Sequence, residues 1–143
     1  MIVTFCGHRD LDDPEAIRRW LAEMVERLIV EGADRFLLGG YGAFDALAAS
    51  VVFQAKQKHP PVRSILVLPY LDRKVDASLY DTTMYPPLEA VPRRFAIVRR
   101  NEYMVSQSDA VIAYVLYSWG GAAATLRYAE KQQKRIIRYQ KTV

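Results

Sequence analysis

The chain has 143 residues, of which 51% are hydrophobic and 25% charged, a mixture that excludes a disordered or low-complexity polypeptide and fits one globular domain. Its single cysteine, Cys6, excludes an internal disulfide, and a net charge of +4 admits an anionic partner without demanding nucleic acid. The longest apolar stretches, such as Ala110 to Leu116, are too short to span a bilayer, and the start MIVTFCGHRD lacks a basic leader and a small-residue cleavage site, so a cytoplasmic protein with no membrane partner is expected.

Ile2 to Cys6 is a β-branched apolar run ended by Gly7, which reads as a buried strand. A helix follows, with Asp12 as its cap, Pro14 in its first turn and Glu15 three residues after Asp12. Ile17, Trp20, Leu21, Met24, Leu28 and Ile29 recur on one face of it until Gly32. Arg35 to Leu38 reads as a strand, Phe44 to about Lys58 as a helix with small residues for close packing, and Arg63 to Leu68 as a third strand. Between Pro69 and Pro92 the periodicity fades; this stretch predicts a long excursion with one edge strand near Thr82 to Tyr85. Phe95 to about Gln107 predicts a helix, Ala110 to Tyr114 a strand, Gly121 to about Lys134 a helix and Arg135 to Tyr139 a last strand. Strand and helix alternate and the strands are continuously apolar, so the expected class is α/β: a doubly wound, mainly parallel sheet with helices on both faces, one domain over residues 1–143.

Ligands of such sheets bind beyond the carboxyl ends of the strands. Three glycine-bearing loops fall there: Gly7-His8-Arg9, then Gly39-Gly40 with Asp45 a few residues on, then Ser118-Trp119-Gly120-Gly121 with Ala122. A glycine pair at a helix entry lets an anion approach unpartnered N–H groups, so a phosphate-bearing ligand is expected, although a plain turn accounts for any one of the loops. Neither glycine loop has the P-loop pattern or the dinucleotide fingerprint. Arg99, Arg100 and Asn101, on the helix before the last glycine pair, suit phosphate or ribose oxygens or a solvated face. Asp45 suits ribose hydroxyls or complements its helix dipole, and His8 packs locally or lines the site. His8, His59 and Cys6 do not make a ligand set, so no metal and no cofactor are expected.

The segments TFCGHR (Thr4 to Arg9), GGYGAFDALAA (Gly39 to Ala49), YPPLEAVPRRFAIVRRNEYMV (Tyr85 to Val105), SDAVIAYV (Ser108 to Val115) and WGGAAATLRYA (Trp119 to Ala129) resemble the YpsA-like branch of the SLOG superfamily. That Rossmann-like group also includes the LOG phosphoribohydrolases and DNA-processing protein A. The resemblance implies a sheet that binds nucleotides or nucleotide-derived ligands. It sets Arg99-Arg100 at the place of the LOG enzymes' Arg-Lys pair and Gly120-Gly121 at the start of their phosphate loop. Ala123 and Ala124 replace the following Gly-Thr, and Arg127 stands where the LOG glutamate assists glycosidic cleavage. An arginine can neither activate water nor offset an oxocarbenium ion, so the phosphate cradle carries over better than the hydrolase chemistry.

Three functions follow in order. The first is a sensor or regulatory module for a nucleotide or ADP-ribose-like ligand. The second is an N-glycosidic enzyme, a phosphoribohydrolase or deoxyribosyltransferase relative, with Asp45 or Glu102 as candidate carboxylates. The third is single-stranded DNA binding, which the charge permits. Two tryptophans and nine tyrosines on so small a domain, together with the resemblance, also predict a homodimer or higher even oligomer.

Overall fold

The computed structural model describes residues 1–72 and 74–141. Strands β1 (Ile2–Gly7), β2 (Arg35–Leu38), β3 (Arg63–Val67), β4 (Thr82–Met84), β5 (Ala110–Tyr114) and β6 (Arg135–Arg138) form one sheet in the order β4-β3-β2-β1-β5-β6. Every neighbouring pair is parallel. Helices α1 (Pro14–Val30) and α2 (Gly42–Lys58) pack on each other, as do α3 (Arg93–Gln107) and α4 (Gly121–Lys131).

Alternation along the strands decides which side chain meets which helix pair. Val3, Phe5, Ala110, Ile112 and Tyr114 join the core built with α1 and α2. Cys6, Val111 and Ala113 point the other way, into a core with Ala123, Leu126 and Ala129 of α4. Thr4 is buried between β1 and β2, and its hydroxyl donates to the Leu37 carbonyl at 2.9 Å.

Three expectations are adjusted, and the expected parallel sheet with its edge strand is present. Asp13, not Asp12, caps α1, its carboxylate accepting from the Ala16 amide at 3.2 Å; Asp12 instead pairs with Lys141. Gly7 is the last residue of β1, paired with Tyr114, and not a strand stop. Helix α4 ends at Lys131, because Gln133 takes a left-handed turn (φ 57°) and the amides of Gln133 and Lys134 return to Glu130 and Ala129 carbonyls. The sheet is wholly parallel, with the edge strand β4 running alongside β3.

Chain order reverses between β1 and β5, which places a crevice between the loops that leave those two strands.

Candidate functional site

A cavity of about 310 Å³ opens at that reversal. It is lined by the end of β1 (Phe5, Cys6, Gly7), the loop after it (His8, Arg9), Tyr41 and Asp45 at the entry of α2, one side of α3 (Ile97, Arg100, Asn101, Met104), and Tyr117, Trp119, Gly120, Gly121, Ala122 and Thr125 around the entry of α4.

Arg100 governs the floor. It shares a helix face with Ala96 and Met104, four residues to either side, and all three are buried; Arg100 is 1% exposed. Its Nη1 donates to the carbonyls of Gly39 and Val67, both at 2.8 Å, and its Nε to Asn101 Oδ1 at 2.9 Å. These bonds tie α3 to the ends of β2 and β3. Its charge faces Asp45, and its guanidinium lies 5.3 Å from the centre of the Tyr41 ring. The half-buried Asp45 accepts the Tyr41 amide at 3.0 Å. Loss of solvation pushes the Asp45 carboxyl up to about 6, against the opposing pull of that amide and of Arg100. Burial also pushes the Cys6 thiol up to about 12, so it lines the wall as a protonated, apolar group and not as a nucleophile.

The opposite rim is aromatic. His8 Nε2 accepts the Leu116 amide at 2.8 Å, which places the ring proton on Nδ1, and burial lowers its pKa, so the imidazole is neutral. Tyr117 stacks on His8 (centroids 3.8 Å apart, 8° between planes) and Trp119 on Tyr117 (4.3 Å, 26°). Gly120 then caps α4 with φ 92°, a conformation that disfavours any side chain, and among the described residues no side chain caps the helix's first amides. The first helical bond runs from the Ala124 amide to the Gly120 carbonyl, so the amides of Gly121, Ala122 and Ala123 precede it. A methyl group at Gly121 would meet nothing within 4 Å. Neither packing nor backbone conformation requires a glycine there.

Of the residues singled out from sequence, Gly7, His8, Arg9, Asp45, Arg100, Asn101, Trp119, Gly120, Gly121 and Ala122 come together around this cavity. Gly39 and Gly40 instead line a second cavity of about 440 Å³, with Leu66, Tyr70, Lys74, Asp76 and Tyr80, and Tyr41 borders both. The three loops thus share one sheet edge but serve two hollows. Arg99 is exposed and, like Glu102 and Ser118, does not line the first cavity. Arg127 is tied to the same loop from outside, donating to the Ser118 carbonyl at 3.0 Å. Gly7 is explained by packing, since a Cβ there would lie 2.2 Å from the Phe44 ring. Sequence reasoning did not single out Phe5, Cys6, Tyr41, Ile97, Met104, Tyr117 or Thr125 as site residues, and Tyr41 and Tyr117 are the two that border its loops most directly. Tyr41 sits inside the glycine loop, and Tyr117 is two residues before Trp119, spacings that signal both in hindsight.

The six-stranded parallel sheet and its crevice define a Rossmann-like α/β fold. Among solved structures the chain is similar to DNA processing protein A from Helicobacter pylori, described for its single-stranded DNA binding mode, with a TM-score of 0.70 at 19% identity. That match covers 100% of this chain and 66% of the Helicobacter protein. DNA processing protein A from Streptococcus pneumoniae gives 0.69 at 14% identity, over 99% of this chain and 50% of its own. The molybdenum cofactor carrier protein of Chlamydomonas reinhardtii gives 0.64 at 17% identity, over 96% of this chain and 75% of its own. In sequence the chain is 28% identical over 131 residues to the UPF0398 protein BH1768 of Halalkalibacterium halodurans, covering 83% of this chain and 68% of that protein. It is also 28% identical over 136 residues to the uncharacterized SPbeta prophage-derived protein YoqJ of Bacillus subtilis, covering 78% of each. No family model matches the chain.

Proposed function

We propose that this protein binds a nucleotide or nucleotide-derived, ADP-ribose-like ligand, as a sensor or regulatory module. The observation that carries the reading is Gly121: a glycine with open space before it, at an uncapped helix start, on the wall of a cavity at the chain reversal. A phosphate fits that position because the first-turn amides and the positive end of the helix dipole favour an anion. Arg9 adds a cation to the wall. Calorimetry tests the reading. Wild-type protein should bind ADP-ribose or a nucleoside 5′-monophosphate, and Gly121→Glu, which adds bulk and negative charge at a position whose Cβ meets no neighbour, should lose that binding while its melting temperature stays put. Retained affinity in a stably folded Gly121→Glu protein refutes the assignment.

A second reading, cleavage of an N-glycosidic bond, is favoured by one observation: the Asp45 carboxyl lines the cavity, where loss of solvation raises it to about 6. Against it, Arg127 occupies the place of the LOG glutamate and holds a loop. Release of free base from AMP is therefore expected to be negligible; robust release that disappears in Asp45→Asn would put the enzyme first. Self-association as a homodimer or higher even oligomer belongs to the same proposal, supported by the exposed Phe95 and Val98 of α3.

A further inference from the structure

The rings beside the α4 entry form a ladder that runs outward from the core. Tyr114, 1% exposed, meets the edge of His8 at 5.4 Å between centroids, and His8 is 6% exposed. Tyr117 lies nearly flat on His8 and is 40% exposed; Trp119 lies on Tyr117 and is 68% exposed. The inner rungs are fixed by hydrogen bonds, the Leu116 amide donating to His8 Nε2 and the Asp12 amide to the Tyr114 hydroxyl. Such a ladder holds its outermost ring in a set plane. Folding gains little from a tryptophan left this exposed, because most of its apolar surface stays in water.

His8, Tyr117 and Trp119 all line the cavity, and Trp119 is followed directly by Gly120 and Gly121. The ordered platform and the proposed phosphate seat are therefore consecutive in the chain and face one hollow. We infer that Trp119, backed by Tyr117 and His8, is the stacking platform for the planar base of a phosphorylated ligand, so that the site takes a nucleotide and not a bare sugar phosphate. The inference rests on the nucleotide reading above and adds to it the moiety that sets specificity. Every base has a π-face, but purines overlap an indole most fully, so AMP and GMP should bind more tightly than CMP and UMP.

The test compares AMP, GMP, ADP-ribose and ribose 5-phosphate on wild-type protein, Trp119→Ala and Trp119→Phe by calorimetry. Trp119→Ala should weaken the three base-bearing ligands by roughly 5- to 150-fold, the range that loss of one base–aromatic stack produces, and leave ribose 5-phosphate unchanged. Trp119→Phe should restore most of the lost affinity. In a Trp20→Phe background, where Trp119 is the remaining tryptophan of the two, AMP should quench the fluorescence and ribose 5-phosphate should not. The Trp119 substitutions remove an exposed side chain and should melt with the protein that carries Trp119. Base-bearing ligands held equally well by wild type and Trp119→Ala, yet lost in Gly121→Glu, would overturn the platform and leave the phosphate seat standing. Wild-type protein that binds none of the four would overturn both.

Discussion

Arg100 fixes the cavity floor, because its guanidinium is spent on two main-chain carbonyls and a neighbouring amide while its charge faces Asp45. Arg100→Ala would strand both carbonyls and leave the Asp45 carboxylate without its counter-charge. It should cost about 3–5 kcal/mol of stability in denaturant unfolding, whereas Arg99→Ala, on the exposed face, should cost nothing measurable. Asp45 gives the site a pH dependence. Its folded pKa, about 6, lies above the ordinary carboxylate value, so the stability it contributes is full below pH 4 or so and is lost as pH rises through 6. His8 works in the opposite sense: its lowered pKa contributes stability above about 6.5 that is lost as pH falls. The two overlap in a melting profile, so binding is the cleaner readout. ADP-ribose, whose phosphates do not titrate near 6, should bind more tightly at pH 5.5 than at pH 8 as the neighbouring carboxylate is neutralised, and Asp45→Asn should flatten the difference. The basic cluster was legible in the sequence, but which arginine turns inward was not singled out. The clue lay in Ala96 and Met104, spaced four residues to either side of Arg100.

At the scale of elements, two glycines that look alike in sequence act differently. Gly7→Ala would drive a methyl into the Phe44 ring, where α2 packs on β1, and should cost about 1–3 kcal/mol in equilibrium unfolding. Gly121→Ala meets open space and should leave stability nearly unchanged. The α1 cap offers a similar contrast: Asp13→Ala removes the bond to the Ala16 amide and should cost about 1 kcal/mol, and Asp12→Ala, which loses only an exposed pair with Lys141, should cost less. The strands were legible because apolar β-branched runs such as Val3 to Cys6 and Ala110 to Tyr114 have few other uses. The α1 entry was legible only to within a residue, since Asp12 and Asp13 are chemically alike and backbone geometry chooses between them. The left-handed Gln133 that shortens α4 carries no glycine or asparagine to announce it.

For the molecule as a whole, alternating strands and helices announce a parallel sheet, and the sheet order sets the crevice between β1 and β5. What no local pattern conveys is how the loops divide: β1 and β5 loops enclose one cavity with α3, while Gly39 and Gly40 face another, because Tyr41 stands between them. Assembly is the remaining question at this scale. Phe95 and Val98 stand exposed, three residues apart on α3, and the Arg93–Asp72 ion pair holds the exposed Leu71 beside the start of that helix. Three large apolar side chains around one helix end suit an isologous contact, in which the same patch meets its copy across a two-fold axis. A stable pair needs roughly 800 Å² from each partner, so the contact would draw in neighbouring polar residues of α3 as its rim. Light scattering at micromolar concentration should therefore give twice the monomer mass, or a higher even multiple. Val98→Glu should halve that mass, because a carboxylate at the centre of an apolar contact is desolvated without a counter-charge, while its solvent-facing site on the monomer leaves the fold intact. A clean monomer in the wild type removes the assembly, and an undiminished oligomer in Val98→Glu moves the interface away from α3.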